Sequence, residues 1–128
     1  MCKIGMDFDG TIFNVETEEL LMRPPQDETI LITGRSDKYA QETVEWLHSY
    51  NIYNPISFNP GLTSGTDKEG AHEQARQIDS ATHKARIIRM HDVKIFYEDD
   101  LYQANIIKQL VPNVLIRLVK KGRVIREF

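Results

Sequence analysis

Short apolar runs alternate along this chain with segments of helical period, and most of the runs stop at a turn. That alternation constrains the fold more than any other feature of the sequence. In residues 3–8, Ile4, Met6 and Phe8 alternate before Asp9-Gly10-Thr11, which reads as a short strand ending in an acidic turn. In residues 28–33, Ile30-Leu31-Ile32 is continuously apolar up to Gly34, as in a strand buried on both faces. Ala40, Val44, Leu47 and Tyr50 then recur at helical spacing, with Asp37 able to start the helix. Residues 55–58 predict a third strand. Residues 59–81 are polar and carry Gly61, Gly65 and Gly70, which predicts a loop with a helix over 69–78. A separate helix is expected over 82–91, with Ala85, Ile87 and Ile88 on its apolar side. Residues 93–97 form the next strand, ending at Glu98-Asp99-Asp100, and residues 101–110 the next helix, closed by Pro112. Two extended runs, 113–119 and 123–128, flank Lys120-Lys121-Gly122 as a hairpin.

Strands alternating with helices argue for an α/β fold with a mostly parallel sheet, flanked by helices and finished by a C-terminal β-hairpin. The 128 residues suit one domain, 1–128, because domains commonly run to about 100–150 residues. Hydrophobic residues at 41% and charged residues at 27% give an ordinary globular balance. The lone Cys2 excludes an internal disulfide framework. No stretch has the apolar length of a membrane span or a secretory leader, so a cytoplasmic setting is the expectation.

In parallel sheets ligands gather beyond the carboxyl ends of the strands. The first strand delivers Asp7 and Asp9 there, the second Thr33-Gly34-Arg35, and the fourth Glu98-Asp99-Asp100. The mutual repulsion of such carboxylates calls for a cation, and oxygen ligands of this kind suit Mg²⁺. Thr33-Gly34 can offer a hydroxyl and backbone amides to an anionic oxygen. Lys84 is expected near the start of a helix, where the dipole does not favour a cation, so its placement there points to a task such as holding phosphate. His48, His72 and His91 lack metal-ligand spacing. His83 could orient a phosphate or pack in the core. Trp46 and Tyr50, four apart on the expected helix, read as core or boundary residues rather than a base-stacking platform.

Asp7-Phe8-Asp9-Gly10-Thr11-Ile12, Ile32-Thr33-Gly34-Arg35, Lys84 and Tyr97-Glu98-Asp99-Asp100 occur in the order of the four motifs of the haloacid dehalogenase-like (HAD) phosphohydrolase superfamily, which the chain resembles over residues 3–110. The resemblance implies a Rossmann-like HAD fold. It implies Asp7 as the nucleophile that forms an aspartyl-phosphate, and Asp9 as the acid and base that serves leaving group and water. It places Gly10, Thr11, Thr33, Gly34, Arg35 and Lys84 at the phosphate or substrate. It gives Mg²⁺ the ligands Asp7, the Asp9 backbone carbonyl and Asp99. Glu98 is the second choice in the fourth motif, and Asp100 is expected to be solvated or to cap the next helix. Lys68 and Lys94 compete with Lys84, which fits the family spacing best.

Only 23 residues separate Asp9 from Thr33, too few for a cap domain, so a capless, open site is expected. Among capless members the chain resembles the phosphatase domain of phage-type polynucleotide kinase-phosphatases. That likeness implies a phosphorylated substrate on nucleic-acid or nucleotide 3′ ends, with Arg35 on a second phosphate or the 3′ end. Arg76, Lys84, Arg86 and Arg89 could form one basic face for it, and Lys120, Lys121, Arg123 and Arg126 another, despite a net charge of −3. Two further readings compete: a phosphatase for nucleotides or small phosphorylated metabolites, and a phosphate-binding or assembly subunit without turnover.

Overall fold

The structure is a computed structural model describing residues 3–60 and 73–128. Its strands are β1 (Ile4–Met6), β2 (Thr29–Ser36), β3 (Ile56–Asn59), β4 (Ile95–Glu98), β5 (Leu115–Lys120) and β6 (Arg123–Glu127). Its helices are α1 (Ala40–Ser49), α2 (Glu73–Met90) and α3 (Leu101–Leu110). The six strands form one sheet in the order β3-β2-β1-β4-β5-β6. All neighbours are parallel except β5 and β6, which form the expected antiparallel hairpin. From β1 the chain builds outward to β2 and β3, then crosses back to lay β4 on the other side of β1. The strand order therefore reverses between β1 and β4, and a crevice opens beyond their carboxyl ends.

The residues of β2 show how both faces of the sheet are filled. Ile30 and Ile32 point into one core with Ala81 and Ile88 of α2, Ala104 and Ile107 of α3, and Phe96 and Ile116 of the sheet. Leu31 points the opposite way, to Met6, Phe8, Ile12, Phe13, Leu47 and Ile52. That second face is covered by α1 and by the segment after β1, which curls back on itself. The Phe8 carbonyl accepts from the amides of Thr11, Ile12 and Phe13, and short bridges join Asp9 to Phe13 and Phe13 to Leu20. Trp46 packs edge-on against Phe8 and Phe13 and donates its indole N–H to the Glu18 carbonyl, so it belongs to this core. Among the described residues no helix is long and apolar enough to cross a membrane.

Three local expectations need correction. The second strand does not stop at Thr33 but runs to Ser36, and Ser36 rather than Asp37 caps the following turn by accepting from the Lys38 amide. The loop assigned to 59–81 and the separate helices over 69–78 and 82–91 give way, from Glu73 on, to the single α2; residues 61–72 lie outside the described residues. The reason is Thr82. Its hydroxyl donates to the Ile78 carbonyl at 2.7 Å, so it sits inside the helix instead of capping a new one. Lys84 is consequently mid-helix, twelfth of eighteen residues, and the helix-dipole reasoning applied to it does not hold.

Candidate functional site

The crevice between β1 and β4 holds the residues that the strand-end reading brought together. β1 breaks after Met6, and the Asp7 amide donates to the Tyr97 carbonyl at 2.9 Å. This ties Asp7 to β4 and leaves its carboxylate at the rim but buried, at 4% exposure. The chain must then turn sharply. Gly10 does so at φ +81°, and a Cβ there would land on the Asp99 carboxylate. Glycine is thus required twice over, for the left-handed backbone and for the close approach of Asp99.

Lys84 reaches this point from α2. Its ammonium lies 2.9 Å from Asp7 Oδ1, 2.8 Å from Glu98 Oε1 and 2.8 Å from Gln103 Oε1. Three donors meet three acceptors, which is what allows an ammonium to be buried. Burial alone would lower its pKa, but the charges of Asp7 and Glu98 win and hold it well above the ordinary lysine value. The other Glu98 oxygen accepts from the backbone amides of Asp99 and Asp100, at 3.1 and 3.2 Å. Burial and then the charge of Asp7 push the Glu98 pKa up, against Lys84, which draws it down. Asp99 sits further out. Burial and the neighbouring charge of Asp7 push it up to about 7. Asp7, Glu98 and Asp99 each offer an oxygen, and these atoms lie within 4.8 Å of one another.

Asp9 has a different partner. Arg35 Nε donates to Asp9 Oδ2 at 2.9 Å and Nη2 to Asp9 Oδ1 at 2.8 Å. Nη1 donates to Thr43 Oγ1 at 3.0 Å, and the guanidinium lies 4.8 Å and 5.1 Å from the Phe8 and Phe13 ring centres.

The site is an open cleft of about 500 Å³ whose lining includes Asp7, Asp9, Gly10, Gly34, Arg35, Lys84, Glu98 and Asp99. Among the described residues, six carboxylates line it against two cations. Thr33 and Thr11 do not reach it. Thr33 is fully buried and its hydroxyl accepts from the Arg35 amide; the Thr11 hydroxyl lies 3.5 Å from Asp7 Oδ2, behind the carboxylate. Asp100 caps α3 by accepting from the Gln103 amide at 3.0 Å, as expected. Lys94 pairs with Asp92 on the surface, and among the described residues Lys84 is the lysine that meets Asp7; Lys68 lies outside them. His83 is buried but does not line the cleft. Burial and the charge of Arg86 lower its pKa, opposed by the Ser57 backbone. A second cleft of about 500 Å³ adjoins the first across Gly34 and Arg35, with Lys38, Tyr39, Glu42 and Arg76 on its walls.

Sequence reasoning missed Gln77, Ser80 and Gln103, which also line the acidic cleft. Helical spacing carries part of the signal, because 77, 80 and 84 fall on one face of α2. Ser80 lies against Gly34 so closely that a Cβ at Gly34 would strike its hydroxyl, which brings α2 onto the rim of β2. Gln103 has no such signal, since only the packing of α3 against α2 brings it to Lys84. No protein-family model, curated protein or solved structure matches the chain.

Proposed function

We propose that this protein hydrolyses phosphomonoesters with Mg²⁺, Asp7 being the nucleophile and Asp9 the acid and base. The observation that carries this reading is the setting of Asp7. It is a buried carboxylate at the crevice where the strand order reverses, with one oxygen fixed by Lys84 and with Asp99 beside it. The donor set fits a hard divalent cation. Glu98 accepts three hydrogen bonds, two of them on one oxygen, whereas Asp7 Oδ2 meets only the Thr11 hydroxyl at 3.5 Å, so Asp7 and Asp99 have the freer lone pairs, and the carboxylate excess among the described lining residues favours a cation there. Mg²⁺ bound at Asp7 and Asp99 would supply charge neutralisation for the approach of a phosphate to these acids. Lys84, held by Asp7, Glu98 and Gln103, keeps Asp7 oriented and adds a fixed positive charge for phosphoryl oxygens.

In this reading Asp7 attacks phosphorus and the bond to the leaving oxygen breaks. Asp9 gives that oxygen a proton. Water then attacks the aspartyl-phosphate, Asp9 takes its proton, and Asp7 is released with inorganic phosphate. The two adjoining clefts leave room for a sizeable alcohol half, which suits nucleotide or nucleic-acid 3′-phosphate ends. Hydrolysis of p-nitrophenyl phosphate tests the core of the proposal. Turnover should require Mg²⁺, stop with a chelator, and fall by at least about 10³-fold in Asp7→Asn. Phosphate binding by a folded protein without turnover would replace it with the binding-subunit reading. A 3′-phosphorylated oligonucleotide should lose its phosphate faster than a mononucleotide does; the reverse order assigns the site to small phosphorylated metabolites.

A further inference from the structure

Arg35 stands in the motif that the resemblance assigns to substrate, yet three of its five N–H groups, one on each nitrogen, are spent on the protein. Two of its three nitrogens grip the two oxygens of Asp9 and the third is fixed by Thr43, while Phe8 and Phe13 lie against the group. Thr43 is itself anchored, because its hydroxyl donates to the Tyr39 carbonyl at 2.8 Å. Every element that holds Arg35 belongs to the scaffold: β1's turn, β2 and α1. A two-pronged grip of this kind fixes the plane of a carboxylate as well as its position. It uses one lone pair on each oxygen and leaves another on each for proton exchange.

We propose that Arg35 is a positioning residue. It acts through Asp9, setting the direction in which that carboxyl gives a proton to the leaving oxygen and takes one from water, and it does not bind the substrate phosphate. This rests on the phosphatase reading above. The bonds made and broken are those of that reaction, and Arg35 exchanges no proton in either step.

Leaving-group dependence separates positioning from binding. Nitrophenolate departs without a proton, whereas an alkoxide needs one. In Arg35→Met, which keeps the apolar stem, kcat/KM on glycerol 2-phosphate should fall roughly 10²-fold or more, the usual scale of lost proton transfer. On p-nitrophenyl phosphate, kcat/KM should stay within about threefold, because it reports only the first step. There kcat should still fall, because water attack on the aspartyl-phosphate needs Asp9, so KM falls with it. Added guanidinium should restore part of the glycerol 2-phosphate rate in Arg35→Ala, and Arg35→Lys, which lacks the two-pronged grip, should not recover it. If Arg35→Met does not fold, Thr43→Val should give a weaker loss with the same preference for the alkyl ester. Equal losses in kcat/KM on both esters, or a raised KM on p-nitrophenyl phosphate, would overturn the proposal and return Arg35 to the substrate. Inactivity of the wild type on both esters would instead remove the phosphatase reading, and this role with it.

Discussion

Two cations meet carboxylates at the rim of the sheet, and they are held in opposite ways. The inner one, Lys84, has a side chain only 3% exposed, between Asp7 at 5% and Glu98 at 1%. The outer one, Arg35, is 23% exposed and its partner Asp9 36%. Burying three charges is costly, and the inner node is tolerable only because each ammonium proton has an acceptor. Remove the cation and two carboxylates stay desolvated with nothing between them. The outer fork rests on shape more than on desolvation. Its strength lies in a planar group seated on two rings, and solvent screens much of its charge. The same rim thus contains a node that holds Asp7 in a fixed, dry setting and a fork that solvent reaches.

The largest way to break this contrast is Lys84→Met. Loss of one partner of a buried pair should cost roughly 3–5 kcal/mol, read as a lower urea midpoint at unchanged slope. Adding Glu98→Gln should recover part of it. A cost below about 1 kcal/mol would make the inner node no different from a surface pair.

Gly10→Ala attacks the join between the two regions. The alanine would be strained at φ +81° and its Cβ would displace Asp99, at a cost of about 1–3 kcal/mol. The rise in melting temperature with Mg²⁺ should shrink in the same variant. A normal Mg²⁺ response would separate Asp99 from the metal.

Proton concentration sharpens the contrast further. Asp99 is pushed from an ordinary value of 3.8 up to about 7, so in the metal-free protein its ionisation opposes folding. Stability from this group is greatest below about pH 4 and falls as pH rises towards 7. Mg²⁺ needs the ionised form, so its stabilising effect should be small at pH 5 and large at pH 8. Thermal unfolding at both pH values, with and without Mg²⁺, reads this directly. Equal shifts at the two pH values would remove Asp99 from the ligand set.

Thr43→Val should be the mildest change. It deletes the hydrogen bond from Arg35 and the one to the Tyr39 carbonyl, and should cost about 1–2 kcal/mol in urea unfolding. A cost matching Lys84→Met would show the outer fork to be as structural as the inner node.

Much of this was legible in the residues. The continuous run Ile30-Leu31-Ile32 predicts a strand covered on both faces, and its side chains do divide between the two cores. Asp7, Asp9 and Asp99 were expected at one rim, and they line one cleft. Asp100 was expected to be solvated or to cap α3, and it caps. The misreadings share a cause. Thr33 carries a hydroxyl at what looked like a strand end, but β2 continues past it and buries it. Thr82 resembled a helix start, but its hydroxyl found a carbonyl one turn back. In each case a short polar side chain had two local solutions, and packing chose between them.

By itself, then, the sequence determined the alternation of elements, the two-faced burial of β2 and the turn that Gly10 makes possible. These follow from periodicity and backbone sterics, which act over a few residues. Only the tertiary structure decided which charge meets which. Lys84 and Gln103 are nineteen residues apart on different helices, and Arg35 on β2 and Asp9 in the turn after β1 are twenty-six apart. Such pairings depend on strand order, helix rotation and the exclusion of water, and no local pattern encodes them. The chemistry of the rim is therefore written in residue types, but its division into a buried node and an open fork is set by how the strands and helices pack around it.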